Sequence, residues 1–197
     1  MDRFAHFLEW HATGKKVLLL FLVTNVVYLF MLLVTIPLTM EFSNGMKLLD
    51  MMPTGYGRSY INELFGSLGV QGREAYLTKQ IPVDMIYPLL FGLSYSLLLT
   101  YFLKRLNRFR APFIYLCTLP VVAGLADCFE NFGIINMLRN YPVVTEFAAG
   151  ITNLFSLLKS GFTTAFFLTL IFVLAWSGLR ILRSKKIKPE VDLEKLI

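Results

Sequence analysis

The fold of this chain is decided by residues 113–138, which read Phe113-Ile-Tyr-Leu-Cys-Thr-Leu-Pro-Val-Val-Ala-Gly-Leu-Ala-Asp-Cys-Phe-Glu-Asn-Phe-Gly-Ile-Ile-Asn-Met-Leu138. A membrane-spanning helix needs about 20 predominantly apolar residues, and this stretch supplies them. Within it stand two acids and an amide, Asp127, Glu130 and Asn131. An ionised carboxylate at membrane depth costs about 3 kcal/mol or more unless it is paired or hydrated, so such residues usually mark a function. The stretch therefore predicts a membrane fold with a polar site inside it.

The composition of the whole chain also indicates a membrane protein. Of its 197 residues, 56% are hydrophobic and only 16% are charged, whereas a soluble domain carries about 25% charged residues. The net charge of +6 would favour nucleic acid as a partner of a soluble protein. Here the basic residues flank the apolar stretches, where orientation signals and anionic headgroups account for them. We therefore expect the bilayer, and no nucleic acid, as a partner.

Four apolar stretches in all are long enough to span a bilayer, at about residues 17–40, 83–103, 111–138 and 147–182. They predict an all-α, polytopic membrane protein in which a four-transmembrane-helix bundle occupies residues 17–182. An interfacial N-terminal helix is expected over residues 1–16, since its apolar residues share one side and Trp10 suits a headgroup boundary. A charged tail is expected over residues 183–197.

The distribution of basic residues predicts the orientation. Of the 19 Lys and Arg residues, 13 lie in the N-terminal segment, in the 104–110 loop and in the segment from Arg180, and 5 lie in the 41–82 and 139–146 loops. The positive-inside rule then places both termini in the cytoplasm and the 41–82 loop outside it.

The 41–82 loop has a helical pattern of its own. Apolar residues recur at helical spacing and stop at Gly69; they are Tyr60, Ile61, Leu64, Phe65 and Leu68. This stripe predicts an amphipathic helix over about residues 57–68, lying on the bundle mouth or on the membrane surface.

Each predicted span carries a polar stripe. Asp127, Glu130 and Asn131 stand at i, i+3 and i+4, which places them on one helical face. Asp84 and Tyr87 share a face of the second span, and Asn153 and Lys159 lie in the fourth. Because polar stripes in lipid turn toward one another, we expect an acid-lined pocket inside the bundle, with Lys159 as the counter-charge to Asp127 or Glu130.

The chemistry of these residues allows two interpretations. As an enzyme, the protein would use Asp127 or Glu130 as general acid or base, while Lys159 or Asn131 would steady developing negative charge. Asp84, Tyr87, Asn131 and Asn153 would then bind the ligand. The competing interpretation is that polar groups merely bond helices together, and that Asp84 caps the second span.

The sequence assigns no metal and identifies no cofactor. Two carboxylates and an amide would suit Mg²⁺ or Ca²⁺, but His6 and His11 lie near the N-terminus, on the side opposite the acids, which disfavours a zinc site. Cys117 and Cys128 are separated by about 16 Å along one helix and cannot form a disulfide.

Three stretches resemble a bacterial family of uncharacterised four-helix integral membrane proteins. They are Pro53-Thr-Gly-Tyr through Leu68-Gly-Val-Gln-Gly-Arg-Glu-Ala-Tyr76, Asp84-Met-Ile-Tyr-Pro88 and Asp127-Cys-Phe-Glu-Asn131. The resemblance, over roughly residues 50–160, implies the four-helix architecture and a bacterial inner membrane. It adds Arg73 to the binding candidates and assigns no reaction.

Three functions compete at this point. The first is an acid-lined intramembrane pocket that binds or modifies a lipid-like molecule, with the 41–82 loop as a lid. The second is a structural or interaction subunit of a larger membrane complex, in which the acids only bridge helices. The third is a proton-coupled carrier, since intramembrane acids serve as proton relays, and with four spans a carrier would need to form a homo-oligomer.

The orientation can be tested by labelling single cysteines with a membrane-impermeant reagent in intact cells. In a background with Cys117 and Cys128 replaced by alanine, a cysteine at Ser67 should react, because the 41–82 loop is expected outside. A cysteine at Ser184 should react only after permeabilisation. Reaction at Ser184 alone in intact cells would show the opposite orientation.

Overall fold

The computed structural model describes residues 2–186, and this part of the chain is all-α. Its α-helices are α1 (Asp2–His11), α2 (Gly14–Phe30), α3 (Ile36–Met40), α4 (Arg58–Ala75), α5 (Ile81–Arg105), α6 (Leu119–Asn140) and α7 (Glu146–Lys186). Short π-helical turns, Met31–Thr35 and Tyr76–Gln80, join α2 to α3 and α4 to α5, and 3₁₀ turns cover Leu49–Met51 and Phe113–Thr118. Most of the predicted tail, residues 187–197, lies outside the described residues.

Four helical stretches are long and apolar enough to cross a membrane: Gly14–Met40, Arg58–Arg105, Phe113–Asn140 and Glu146–Arg183. This confirms the prediction of an all-α chain with four candidate spans, as a multi-pass membrane protein requires. The 41 residues of α7 extend over about 60 Å, twice the roughly 30 Å of a hydrocarbon core. Part of α7 must therefore project beyond the hydrocarbon.

Both π-helical turns precede a proline. Pro37 follows the turn Met31–Thr35, and Pro82 follows the turn Tyr76–Gln80. Proline has no N–H group and displaces the carbonyl four residues before it, so the helical ladder widens or bends there. The two turns contact each other, since the Thr35 hydroxyl donates a hydrogen bond to Gln80 Oε1.

Small residues bring α5, α6 and α7 close together. A Cβ atom at Gly124 of α6 would lie 2.4 Å from the carbonyl oxygen of Pro88 in α5. A Cβ atom at Gly133 would lie 2.1 Å from Thr152 Oγ1 in α7. Since real Cβ atoms do not approach so closely, glycine is required at both positions, as is typical of tightly packed transmembrane helices.

The polar residues lie at one level of the bundle, between two apolar clusters. One cluster contains Phe91 of α5, Ala123 of α6 and Phe166 of α7. The other contains Ile81, Ile134 and Ala149 of the same three helices, together with the loop residues. The acids Asp84 and Asp127 fall between these positions on their helices, and so does Lys159. Apolar side chains therefore pack above and below this level.

The amphipathic pattern of the 41–82 loop forms a helix, as the sequence predicted. Helix α4 begins at Arg58, and its residues Ile61, Leu64, Phe65 and Leu68 are all at most 2% exposed. Gly69 interrupts it with φ of 61°, a left-handed conformation that favours glycine. The helix continues to Ala75, seven residues beyond the predicted end.

The N-terminal helix α1 packs on the bundle through Leu8, which is fully buried. Lys104 of α5 donates a hydrogen bond to the carbonyl oxygen of Glu9 at 2.7 Å. Trp10 is 71% exposed, as an anchor in the headgroup layer would be. The interfacial position of α1, and the division of the chain into three segments, stay predictions.

Replacing Leu64 and Phe65 by serine should destabilise the outer part of the fold. Each side chain is fully buried, and each loss removes about 1.5–3 kcal/mol of burial free energy. Hydrogen exchange of α4 and thermal unfolding in detergent measure the effect. The control is Val70→Ser on the same helix, since Val70 is 74% exposed. If the replacements at Leu64 and Phe65 change hydrogen exchange and thermal stability as little as the one at Val70, the packing of α4 on the bundle is contradicted.

Candidate functional site

An ion-pair cluster joins α6 to α7. Lys159 Nζ lies 2.6 Å from Glu130 Oε2 and 3.1 Å from Asp127 Oδ1. It also donates a hydrogen bond to the backbone carbonyl of Asp50 at 3.3 Å. Within residues 2–186, Glu130 Oε2 accepts no well-directed hydrogen bond, so the charge of Lys159 holds it. The cluster contains the two acids that the sequence analysis placed on one helical face, and the lysine expected to oppose them.

Asn131 has a structural role that follows from the sequence of α5. Pro88 has no N–H group, so the carbonyl of Asp84, four residues earlier, receives no helical hydrogen bond. Asn131 Nδ2 of α6 donates to this carbonyl oxygen at 3.0 Å. An unpaired carbonyl at this depth would be costly. Asn131 therefore supports the backbone of α5 where Asp84 projects.

The loop before α4 adds a fourth acid, Asp50. The hydroxyl of Tyr76 donates to Asp50 Oδ1, and Gln80 Nε2 donates to Asp50 Oδ2 at 3.0 Å. Because Thr35 bonds to Gln80, hydrogen bonds run from the first span through Gln80 to the loop. These polar groups fix Asp50 at the end of the acid cluster that faces the loop.

Tyr56 ties the same loop to the ion-pair cluster. Its hydroxyl donates to Glu130 Oε1 at 3.1 Å, and its backbone N–H donates to Asn153 Oδ1 at 2.7 Å. Burial, and next the carboxylate of Glu130, raise the pKa of Tyr56 well above its usual value. The phenol therefore stays protonated and remains a hydrogen-bond donor. Gly55 beside it has φ of 82° and packs directly on Asn153.

A cavity of about 650 Å³ lies beside these groups, within the 300–1,000 Å³ typical of ligand pockets. Acids and Lys159 line one part of it, and aromatic and aliphatic side chains line the rest. Its walls include Tyr28 of α2, Leu32 of the π-helical turn after it, Asp50 of the loop, Asp84, Tyr87, Phe91 and Tyr95 of α5, Asp127 of α6, and Lys159, Thr163, Thr164 and Phe167 of α7.

The cavity also reaches the outer surface of the bundle. Tyr28 of α2 and Leu32 of the following π-helical turn line it and are exposed, and so are Thr164 and Phe167 of α7. The opening therefore lies along the first and fourth apolar helices, which would face lipid in a membrane.

The predicted site residues are only partly brought together. Asp84, Tyr87, Asp127 and Lys159 line the cavity, whereas Glu130, Asn131 and Asn153 support it from behind. Arg73 lies elsewhere: its guanidinium stacks on the ring of Tyr141 at 4.5 Å and donates to the carbonyl of Phe65 at 2.7 Å.

The sequence analysis missed Asp50, Tyr56, Tyr76 and Gln80. Asp50 and Tyr56 come from the irregular segment before α4, which has no fixed period that would indicate where a side chain points. Tyr76 and Gln80 lie in the π-helical turn before Pro82, beyond the helix predicted over residues 57–68. The signal available for Tyr56 was its place in the stretch Pro53-Thr-Gly-Tyr. Among residues 2–186, no group of three or more His, Cys, Asp or Glu side chains is arranged to hold a metal ion.

Comparisons with protein-family models, with curated proteins and with solved structures find no match to this chain. The resemblance to a bacterial membrane family therefore stays a prediction beyond the four long apolar helices that the structure contains.

Replacing Lys159 by methionine should destabilise the fold by about 3–5 kcal/mol, because it leaves two buried carboxylates without their cation. Thermal unfolding in a neutral detergent measures the loss. Combining Lys159→Met with Asp127→Asn and Glu130→Gln should restore much of the stability, since no unpaired charge remains.

The matched control is Arg58→Met, which removes the exposed ion pair between Arg58 and Glu146 at 2.9 Å. Exposed pairs contribute only about 0–1 kcal/mol. If Lys159→Met lowers the folding stability as little as Arg58→Met does, water screens the charges of the cluster.

Proposed function

We propose that this protein binds or modifies a lipid-like molecule in an acid-lined pocket inside the membrane. We also propose that both termini are cytoplasmic, with the loop and α4 outside. The observation that carries the proposal is the cavity, which combines acidic and apolar walls in one space. A lipid-like molecule has the same division between a polar head and an apolar tail.

Access from the bilayer supports this function. Tyr28 of the first span and Phe167 of the fourth both line the cavity, and each is 40% exposed. A molecule dissolved in the membrane would enter between the first and fourth spans with its apolar part still in lipid. No large apolar surface would then have to cross water, which is the main barrier to moving such a molecule.

The loop between α3 and α4 would act as a cover on the outer end. Asp50, Met51 and Pro53 all line the cavity. The cover is fastened by Tyr56, and by the Ser156 hydroxyl, which donates to the Met52 carbonyl at 3.4 Å. Excluding water would strengthen every electrostatic interaction with the ligand.

If the molecule is modified, Asp127 is the better general acid or base. Asp127 lines the cavity, whereas Glu130 lies behind it and is fully buried. Lys159 lines the cavity as well, within 3.1 Å of Asp127. Proton transfer requires the group to be within hydrogen-bond reach of the reacting atom, and only a lining residue satisfies this condition.

A structural role is the second candidate, and the ion-pair cluster favours it. Lys159 joins α7 to α6, and Tyr56 joins the loop to α6. The acids would then be present to bridge helices, within a homo-oligomer or a larger membrane complex. Under this alternative, blocking the cavity should change nothing but stability.

Replacing Thr163 by phenylalanine should abolish ligand binding, because the added ring would fill the cavity that Thr163 lines. The protein is purified in a neutral detergent, and bound lipids are extracted and identified by mass spectrometry. An amphiphile should accompany the unmodified protein and be lost from Thr163→Phe. Whole-membrane lipid profiles of cells with and without the protein would show whether the protein chemically alters this amphiphile.

The control is Thr169→Phe, the same change six residues further along α7, at a position that does not line the cavity. It should keep the bound molecule. If neither the unmodified protein nor the control carries one, and lipid profiles do not change, a lipid-binding function is contradicted.

A further inference from the structure

We infer that the ligand of this pocket is an amphiphile with a positively charged, ammonium-type headgroup. This inference rests on the proposed function, because it names the class of molecule that the same cavity would take. It comes from three features: an excess of acids, one unpaired carboxylate in the cavity wall, and an aromatic wall beside that carboxylate.

The excess of acids follows from the ion pairs. Four carboxyl groups lie at this level of the bundle, from Asp50, Asp84, Asp127 and Glu130, and Lys159 is already engaged by the last two. Among residues 2–186, the other ion pair is the distant, exposed one between α4 and α7. A cationic headgroup would supply the charge that the protein lacks, since buried charges need a partner.

Asp84 is the acid that the headgroup would meet. It is only 4% exposed and lines the cavity. Asn131 donates to its backbone carbonyl, and in the described part of the chain no basic side chain forms an ion pair with its carboxyl group. Asp50, by contrast, already accepts two hydrogen bonds from neutral donors.

An aromatic wall continues from Asp84 along the same face of α5. Tyr87, Phe91 and Tyr95 follow at i+3, i+7 and i+11, and all line the cavity. Tyr28 of α2 stacks on Tyr87 with ring centroids 5.3 Å apart. Aromatic faces attract ammonium groups, most strongly when water is excluded. The rings nearest Asp84 would hold the headgroup, and those beyond would pack on the alkyl part.

An anionic headgroup fits this site poorly. A phosphate would approach four carboxyl groups, and Lys159 could bind it only by releasing Asp127 or Glu130. The displaced acid would then lie buried without its cation, beside the negative charge of the phosphate. Like charges placed together in this way are strongly unfavourable. The cavity volume of about 650 Å³ also suits a drug-sized amphiphile.

The experiment compares three amphiphiles that share a dodecyl chain: dodecyltrimethylammonium, dodecanol and dodecyl sulfate. The protein is placed in nanodiscs of a neutral phosphatidylcholine, and equilibrium binding is measured against empty nanodiscs. The cationic probe should bind at least about tenfold more tightly than the alcohol. The sulfate should bind most weakly.

Two variants and one control assign the preference to the cavity. Asp84→Asn should bring the affinity for the cationic probe down to that for the alcohol, and retained alcohol binding shows that this variant is folded. Tyr87→Leu should weaken binding of the cation more than binding of the alcohol. Glu63→Gln, which removes an exposed carboxylate on α4, should keep the tenfold preference.

Different results would overturn the cationic headgroup and the amphiphile pocket. Equal binding of the three probes, or tightest binding of the sulfate, would overturn the cationic headgroup while leaving an amphiphile pocket in place. A cationic preference that survives Asp84→Asn would overturn it too, because the selectivity would then come from elsewhere. Binding of none of the probes above the empty-nanodisc level would contradict the pocket itself.

Discussion

The structure depends on how one ammonium group is shared. Lys159 Nζ contacts Glu130, Asp127 and the carbonyl of Asp50, so one side chain joins two spans and the loop. A charge in this position is tolerable only because it is paired, and the acids are tolerable only because of the lysine. Burial of these groups fixes the relative rotation of α6 and α7, and the cavity forms beside them.

Features that depend on local geometry could be predicted from the sequence, and features that depend on how the loop folds back could not. Apolar length gave the four candidate spans, and helical spacing put Asp127 and Glu130 on one face opposite Lys159, because both arguments need only local geometry. Helix α4 and its break at Gly69 were predictable for the same reason. Asp50 and Tyr56 were not, since their positions depend on how an irregular loop folds back onto the bundle.

For two candidate residues, the contacts in the structure differ from those expected from the sequence. Asn131 was a candidate for stabilising charge on a ligand, but it holds the carbonyl that Pro88 leaves unpaired. That proline and that amide are 43 positions apart, and no periodicity links them. Arg73 was included through a family resemblance, and it packs on Tyr141 instead. In both cases a nitrogen of the side chain donates to a backbone carbonyl of the fold, at Asp84 for Asn131 and at Phe65 for Arg73.

The most direct test of the account is an experimental structure of the protein in lipid nanodiscs prepared without added amphiphiles. We expect an open cavity between α2 and α7, with elongated non-protein density running from Asp84 along Phe91 toward Phe167. A structure in which Tyr28 and Phe167 close against each other and leave no cavity would contradict it. The acids would then serve only to hold the helices together.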